Sequence, residues 1–132
     1  IDAILCTEVF EHIPWPIRTI NEFSRVLTNE GKLILTVPFA STRHMDPYYF
    51  YSGFSDNWLL FALERAGFKD IHIKPVGDYY RWISLELIKS FLSESYLAKF
   101  LLLPSILWHL CKKPTPESKN TLCIGYHVTA QK

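Results

Sequence analysis

Two short apolar runs bracket an amphipathic segment near the start of the chain, and no other feature constrains the fold as much. Ile1-Asp2-Ala3-Ile4-Leu5-Cys6 reads as a buried strand of the kind found in parallel sheets. A loop from Thr7 to Pro16 holds two prolines. Behind Pro16, apolar residues at 17, 20, 23 and 27 recur at helical spacing, with the proline in the first turn where its missing N–H costs nothing. Asn29-Glu30-Gly31 is a turn in which Gly31 can take positive φ, and Lys32-Leu33-Ile34-Leu35-Thr36-Val37 is a second buried strand ending at Pro38. Strand, helix, strand is a βαβ unit. Such units require a parallel sheet with right-handed crossovers and helices on its faces, and ligands gather beyond the carboxyl ends of the strands. The loops that begin at Cys6 and Val37 are therefore where a site is expected.

The α/β rhythm continues for one more unit. The loop from Pro38 to Phe54 is long and carries His44, Tyr48, Tyr49 and Tyr51, a composition more often functional than incidental. Ser55 caps a helix that runs through Ala66 and closes at Gly67, and Phe68 to Val76 is a third strand. Tyr80 to Lys113 is helical but unusually apolar, with Pro104 dividing it in two. Pro114 to Asn120 is a polar linker, and Leu122 to Ala130 alternates as a last strand. This layout predicts a single, partial domain: a βαβαβ core over 1–79, a helical insertion over 80–113, and a linker with the last strand over 114–132. Tyr96 to Cys111 is the most hydrophobic stretch. It is shorter than the roughly 20 residues of a spanning helix and is interrupted by Lys99, Pro104 and His109. A buried helix or a homodimer contact is expected there, with a peripheral membrane or lipid-substrate contact through 96–111 as the alternative.

Composition enters mainly by exclusion. The chain is 48% hydrophobic and 20% charged over 132 residues, so it is neither disordered nor fibrous. Fourteen Lys and Arg against 13 Asp and Glu leave a net charge of +1, so no general field draws it to nucleic acid and no nucleic-acid partner is expected. Cys6, Cys111 and Cys123 are widely spaced, without a CxxC pair, which argues against a disulfide framework or a thiolate zinc site and favours a reducing cytoplasm. No basic region precedes the first apolar run, so no signal peptide is readable, and the direct start in a strand points to a truncated amino terminus.

The chemistry is concentrated in Asp2-Ala3-Ile4-Leu5-Cys6-Thr7-Glu8-Val9-Phe10-Glu11-His12-Ile13-Pro14. Two carboxylates and an imidazole follow a strand end that should open on the crevice. The plain alternative is that Glu8 and Glu11 bond loop amides while His12 caps or packs under the next helix. The tyrosines at 48, 49 and 51 either line an acceptor pocket or pack their loop onto the sheet.

This stretch, followed by Arg25-Val26-Leu27-Thr28-Asn29-Glu30-Gly31-Lys32-Leu33-Ile34-Leu35-Thr36-Val37-Pro38-Phe39, resembles the class I S-adenosylmethionine-dependent methyltransferases, and more narrowly their broad type 11 group. Thr28-Asn29-Glu30-Gly31 stands where that group usually has Lys-Pro-Gly-Gly, a change of turn only. The resemblance is strong over about the first 40 residues and absent from 80 to 120. It implies a Rossmann-like methyltransferase sheet of which this chain holds strands four to seven, the last inserted antiparallel. On that reading the chain is a C-terminal part without the glycine-rich cofactor loop, and no GxG occurs in it. Such a part alone is expected to be inactive. The resemblance further implies S-adenosylmethionine as cofactor, with Thr7 and its neighbours Cys6 and Glu8 against its methionine portion, and a small-molecule acceptor. An oxygen acceptor would need a base or a metal to remove its proton, a role open to His44 or His12. In ubiquinone-pathway and plant small-RNA O-methyltransferases, which this stretch is similar to, two glutamates and a histidine at this spacing hold a metal. Glu8, Glu11 and His12 match them, a set that would suit Mg²⁺ with waters completing the shell. The rival expectation is a non-catalytic interaction or membrane-associating module built on the apolar helices.

Overall fold

The computed structural model describes all residues, Ile1 to Lys132. The chain divides into two compact units, Ile1–Pro75 with Gly125–Lys132, and Val76–Ile124.

The first unit is built on the sheet. Strand β1 spans Ala3–Thr7, a 3₁₀ turn covers Phe10–His12, helix α1 spans Pro16–Val26, β2 Lys32–Pro38, α2 Asp56–Arg65, β3 Lys69–Val76, and the last strand, β4, Gly125–Gln131. The order across the sheet is β1-β2-β4-β3. β1 and β2 are parallel in the register Cys6 opposite Leu35 and Thr7 opposite Thr36, while β4 lies antiparallel to β2 from Lys32–Gln131 to Pro38–Gly125. The insertion of the last strand between its predecessors is therefore as the resemblance implied. The side-chain period of two decides which face is buried: Leu33, Leu35 and Val37 of β2 are buried with Cys6, Val128 and Ala130, and the helices contribute Ile20, Leu59, Ala62 and Leu63. Burial of this apolar area is what holds the unit together.

Several expectations change here. The opposite face of the sheet is not covered, since Leu5 is 70% and Ile34 43% exposed, and these two are register partners. β1 is thus an edge strand and not a fully buried one. In the turn before β2 the left-handed residue is Glu30, at φ 67°, not Gly31. Gly31 is required for space: a Cβ there would lie 2.8 Å from the Thr28 carbonyl oxygen.

The second unit is helical: α3 spans Tyr79–Ser93, α4 Tyr96–Cys111 and α5 Pro116–Thr121. Pro104 does not divide the apolar segment, since it sits inside α4. The break falls at Glu94 and Ser95, where Ser95 Oγ accepts from the Ala98 amide and starts a new helix. The supposed linker holds α5, whose capping box pairs the Thr115 and Ser118 side chains with each other's backbone N–H. Asp78, 1% exposed, ties the helices together. Its Oδ1 accepts from the Arg81 amide at 3.0 Å and its Oδ2 from Ser118 Oγ at 2.8 Å, so one carboxylate caps α3 and holds α5. Arg81 donates to the Leu110 carbonyl at 2.8 Å, satisfying the end of α4. The expectation that Tyr96 to Cys111 is a buried helix fails. Tyr96 is 93%, Phe100 76% and Leu97 70% exposed, and only Ile106 is buried. No helix is long and apolar enough to cross a membrane.

Candidate active site

The carboxyl ends of β1 and β2 lie side by side, and the chain leaves β1 through an unusual residue. Glu8 has φ 50°, a left-handed conformation that a non-glycine residue adopts at a cost. Neighbouring β2 stabilises it. The Glu8 amide donates to the Thr36 carbonyl and Oγ1, both at 3.2 Å, and Thr36 Oγ1 donates to Glu8 Oε1 at 2.8 Å. Thr7 and Glu8 are exposed at this end, while Cys6 is buried one residue earlier. Burial first, and the nearby Glu11 carboxylate second, push the Cys6 thiol up from its ordinary range, so Cys6 presents a neutral S–H and not a thiolate.

Beyond the turn the 3₁₀ segment turns Phe10 and Glu11 inward. Phe10 is fully buried against Phe54 and Trp58, with centroids 5.2 and 6.4 Å away. Glu11 is 2% exposed, and its Oε2 has no hydrogen-bond partner. Its Oε1 lies 3.7 Å from His12 Nε2. The loop after β2 folds back over this turn. Phe50 and Tyr51 amides donate to the Glu11 carbonyl at 3.2 Å, and the Tyr51 hydroxyl reaches the Pro14 carbonyl at 3.3 Å. Tyr49 donates its O–H to the Ser41 carbonyl at 2.6 Å. Two of the three tyrosines therefore fasten the loop, and Tyr48 alone is well exposed, at 64%. The fold-back also carries His44 to His12, ring edge to ring face with centroids 4.8 Å apart.

Of the residues expected at a site, the structure gathers Glu11, His12 and His44, whose ligand atoms lie within 4.8 Å of one another. Glu8 is not in that group; it is tied to Thr36. Cys6, Thr7 and Glu8 stand together at the end of β1 as consecutive residues. Sequence reasoning missed Thr36, whose role depends on strand register, and a cavity of about 710 Å³ lined by Trp15, Arg18, Tyr51, Phe54 and Trp58 among others. Its size is that of a small-molecule pocket, and Arg18 is the one charged side chain in its wall.

Comparison with known proteins bears on the fold. A family described as "Methyltransferase domain" matches residues 1–35. No curated protein matches the chain. Among solved structures, a SAM-dependent methyltransferase from Archaeoglobus fulgidus superposes with a TM-score of 0.61 at 15% identity, covering 100% of this chain and 59% of that one. Phosphoethanolamine N-methyltransferase 2 of Haemonchus contortus, in complex with phosphomonomethylethanolamine and S-adenosylhomocysteine, gives 0.51 at 13% identity over 98% of this chain and 33% of that one. The [4+2]-cyclase SpnF gives 0.53 at 19% identity, with 99% and 49% covered. The chain thus spans between a third and three fifths of these proteins' length, and it shares with them the Rossmann-like fold of S-adenosylmethionine-dependent methyltransferases. One expectation is overturned. The family match occupies residues 1–35, the amino-terminal end of this chain, so the reading as a C-terminal part lacking the glycine-rich loop is withdrawn.

Proposed function

We propose that the protein transfers a methyl group from S-adenosylmethionine to a small-molecule acceptor, with the donor's methionine portion against Cys6, Thr7 and Glu8. The observation that carries this is the strained Glu8 turn at the carboxyl end of β1, fastened to Thr36 of β2. Strain of this kind persists only where surrounding structure enforces it, and it is concentrated at ligand sites. It leaves an exposed carboxylate beside an exposed threonine hydroxyl, a surface that suits a cationic sulfonium next to an amino-acid moiety. When bound, the donor supplies an electrophilic methyl on sulfur, and the protein's own work is alignment and exclusion of water. The neutral Cys6 thiol does not compete as a nucleophile.

The acceptor's apolar body takes the cavity beside Trp15 and Trp58, and Arg18 favours an anionic substituent on it. Tyr51 links that wall to the site, because its amide bonds the Glu11 carbonyl. For an oxygen acceptor His12 or His44 takes the proton. Each holds Nδ1 against a backbone carbonyl, Tyr48 at 2.5 Å and Thr42 at 2.9 Å, which leaves Nε2 for that role. Mg²⁺ on Glu8, Glu11 and His12 has less support, because Glu8 stands apart from the other two. The wide spacing of the three cysteines, without a CxxC pair, supports a reducing, cytoplasmic location.

Photo-cross-linking with methyl-labelled S-adenosylmethionine tests the assignment. Label should fall on a peptide containing Thr7 and Glu8. Label confined to 79–121, or none that unlabelled S-adenosylhomocysteine displaces, would contradict it. A second reading, association of the exposed face of α4 with a membrane surface or with a second copy, is favoured by the exposure of Tyr96, Leu97, Phe100 and Leu101. Vesicle flotation and sedimentation equilibrium test that reading directly.

A further inference from the structure

We infer that α4 docks flat on the surface of a bilayer that contains anionic phospholipid. The inference rests on the reading of α4 as an association surface and narrows it to one partner. At about 100° per residue, the solvent-facing arc of α4 carries Tyr96, Leu97, Phe100, Leu101, Leu107 and Trp108, each more than half exposed. No charged side chain falls within that arc. The inward side is already occupied, since it packs on α3, where Tyr80 meets His109, Arg81 bonds the Leu110 carbonyl and Ile106 is buried. A helix of a soluble domain turns its apolar stripe inward; here the inward positions are taken and a second apolar stripe faces out.

The charges identify the partner. Lys99 and Lys112 stand at the two borders of the arc, Lys113 follows, and no Asp or Glu occurs between Glu94 and Glu117. The Lys112 ammonium lies 4.4 Å from the Trp108 ring centroid, and that of Lys99 lies 5.9 Å from the Tyr96 ring. Lysines placed this way lay their stems along the apolar surface and hold the charge beside it, at the level where a bilayer has its phosphates. Trp and Tyr favour that same level. The whole chain carries only +1, so the attraction to anionic headgroups is local to this helix.

Two other occupants fit less well. A second copy docked symmetrically through this face would set the lysines of one α4 against those of the other, with no carboxylate on either helix to pair them. A spanning arrangement fails on length, because 16 residues reach about 24 Å and the hydrocarbon core is roughly 30 Å thick. A helix lying in the interface, with its apolar arc among the upper acyl carbons, satisfies both the arc and its bordering cations.

The test is flotation of the full chain with vesicles of phosphatidylcholine alone and of phosphatidylcholine mixed equally with phosphatidylglycerol. Capture by the mixed vesicles is expected, weakened by raised salt and at least about tenfold weaker with the neutral ones. Phe100→Asp and, separately, Lys99→Glu combined with Lys112→Glu should each lower capture by more than about tenfold while the far-UV circular dichroism keeps its helical signal. Brominated acyl chains should quench the tryptophan fluorescence of the wild type and much less that of Trp108→Phe. Capture unchanged in Phe100→Asp, or absent with both kinds of vesicle, would overturn the assignment. Equal capture by neutral and anionic vesicles would overturn the anionic partner and leave a membrane surface standing, whereas a concentration-dependent dimer without capture would leave only the second copy. None of these readouts involves the methyl donor, so the methyl-transfer reading stands or falls separately.

Discussion

Glu8, Thr36 and Cys6 set the chemistry at the end of β1, and each supports a separate prediction. Thr36→Val keeps side-chain volume but removes the hydroxyl that bonds both the amide and the carboxylate of Glu8. It should cost about 1 kcal/mol of stability, measured by denaturant unfolding, while weakening S-adenosylhomocysteine binding measured by calorimetry. A stability loss with unchanged affinity would reduce the Glu8 turn to a structural role. For Cys6 the folded thiol titrates above its unfolded value. An unfolded chain then releases the proton first as pH rises, so the stabilisation is complete below the ordinary thiol range of about 8.5 and is lost as pH climbs through the raised folded value. Unfolding free energy should therefore fall more steeply with alkaline pH in the wild type than in Cys6→Ala. Equal slopes would remove the argument. Thr7, Glu8, Glu11, His12 and His44 were all visible as candidates in the sequence, because a strand end followed by carboxylates and imidazole is a local pattern. Their grouping was not visible. It depends on a loop folding back and on the Thr7–Thr36 register, neither of which leaves a mark on neighbouring residues.

At the scale of elements, small residues and caps decide what local propensity leaves open. Gly53 has φ 153°, and a Cβ there would lie 2.1 Å from the Phe39 carbonyl oxygen. Gly53→Ala should destabilise the first unit by roughly 2 kcal/mol or more in chemical denaturation, and a neutral result would show that the loop can move aside. Asp78→Ala removes the caps that α3 and α5 share. A loss of about 2 kcal/mol is expected, and loss of amide protection from hydrogen exchange in both helices together distinguishes shared anchoring from a local effect. Strands and the first two long helices were legible because their apolar periods are strong and Ser55 is a clear cap. α4 and α5 were misread in opposite directions. Pro104 is a strong breaker, yet the helix continues through it. The Thr115-Pro116-Glu117-Ser118 run carried a readable start signal, proline at N1 behind a capping threonine, which the polar composition concealed.

For the whole molecule, the order β1-β2-β4-β3 places a parallel pair beside an inserted antiparallel strand, and the carboxyl ends of β1 and β2 lie side by side. Fold likeness at 13–19% identity reaches a cyclase as well as methyltransferases, so activity has to be argued from the site and not from the architecture. The central claim is that the ends of β1 and β2 grip the methyl donor. Amide chemical shifts of the ¹⁵N-labelled chain, followed while S-adenosylhomocysteine is added, test it most directly. Saturable shifts confined to the amides of Cys6 to Val9 and Val37 to Ala40 are the predicted result. No shift at any concentration, or shifts centred on α3 to α5, would contradict it.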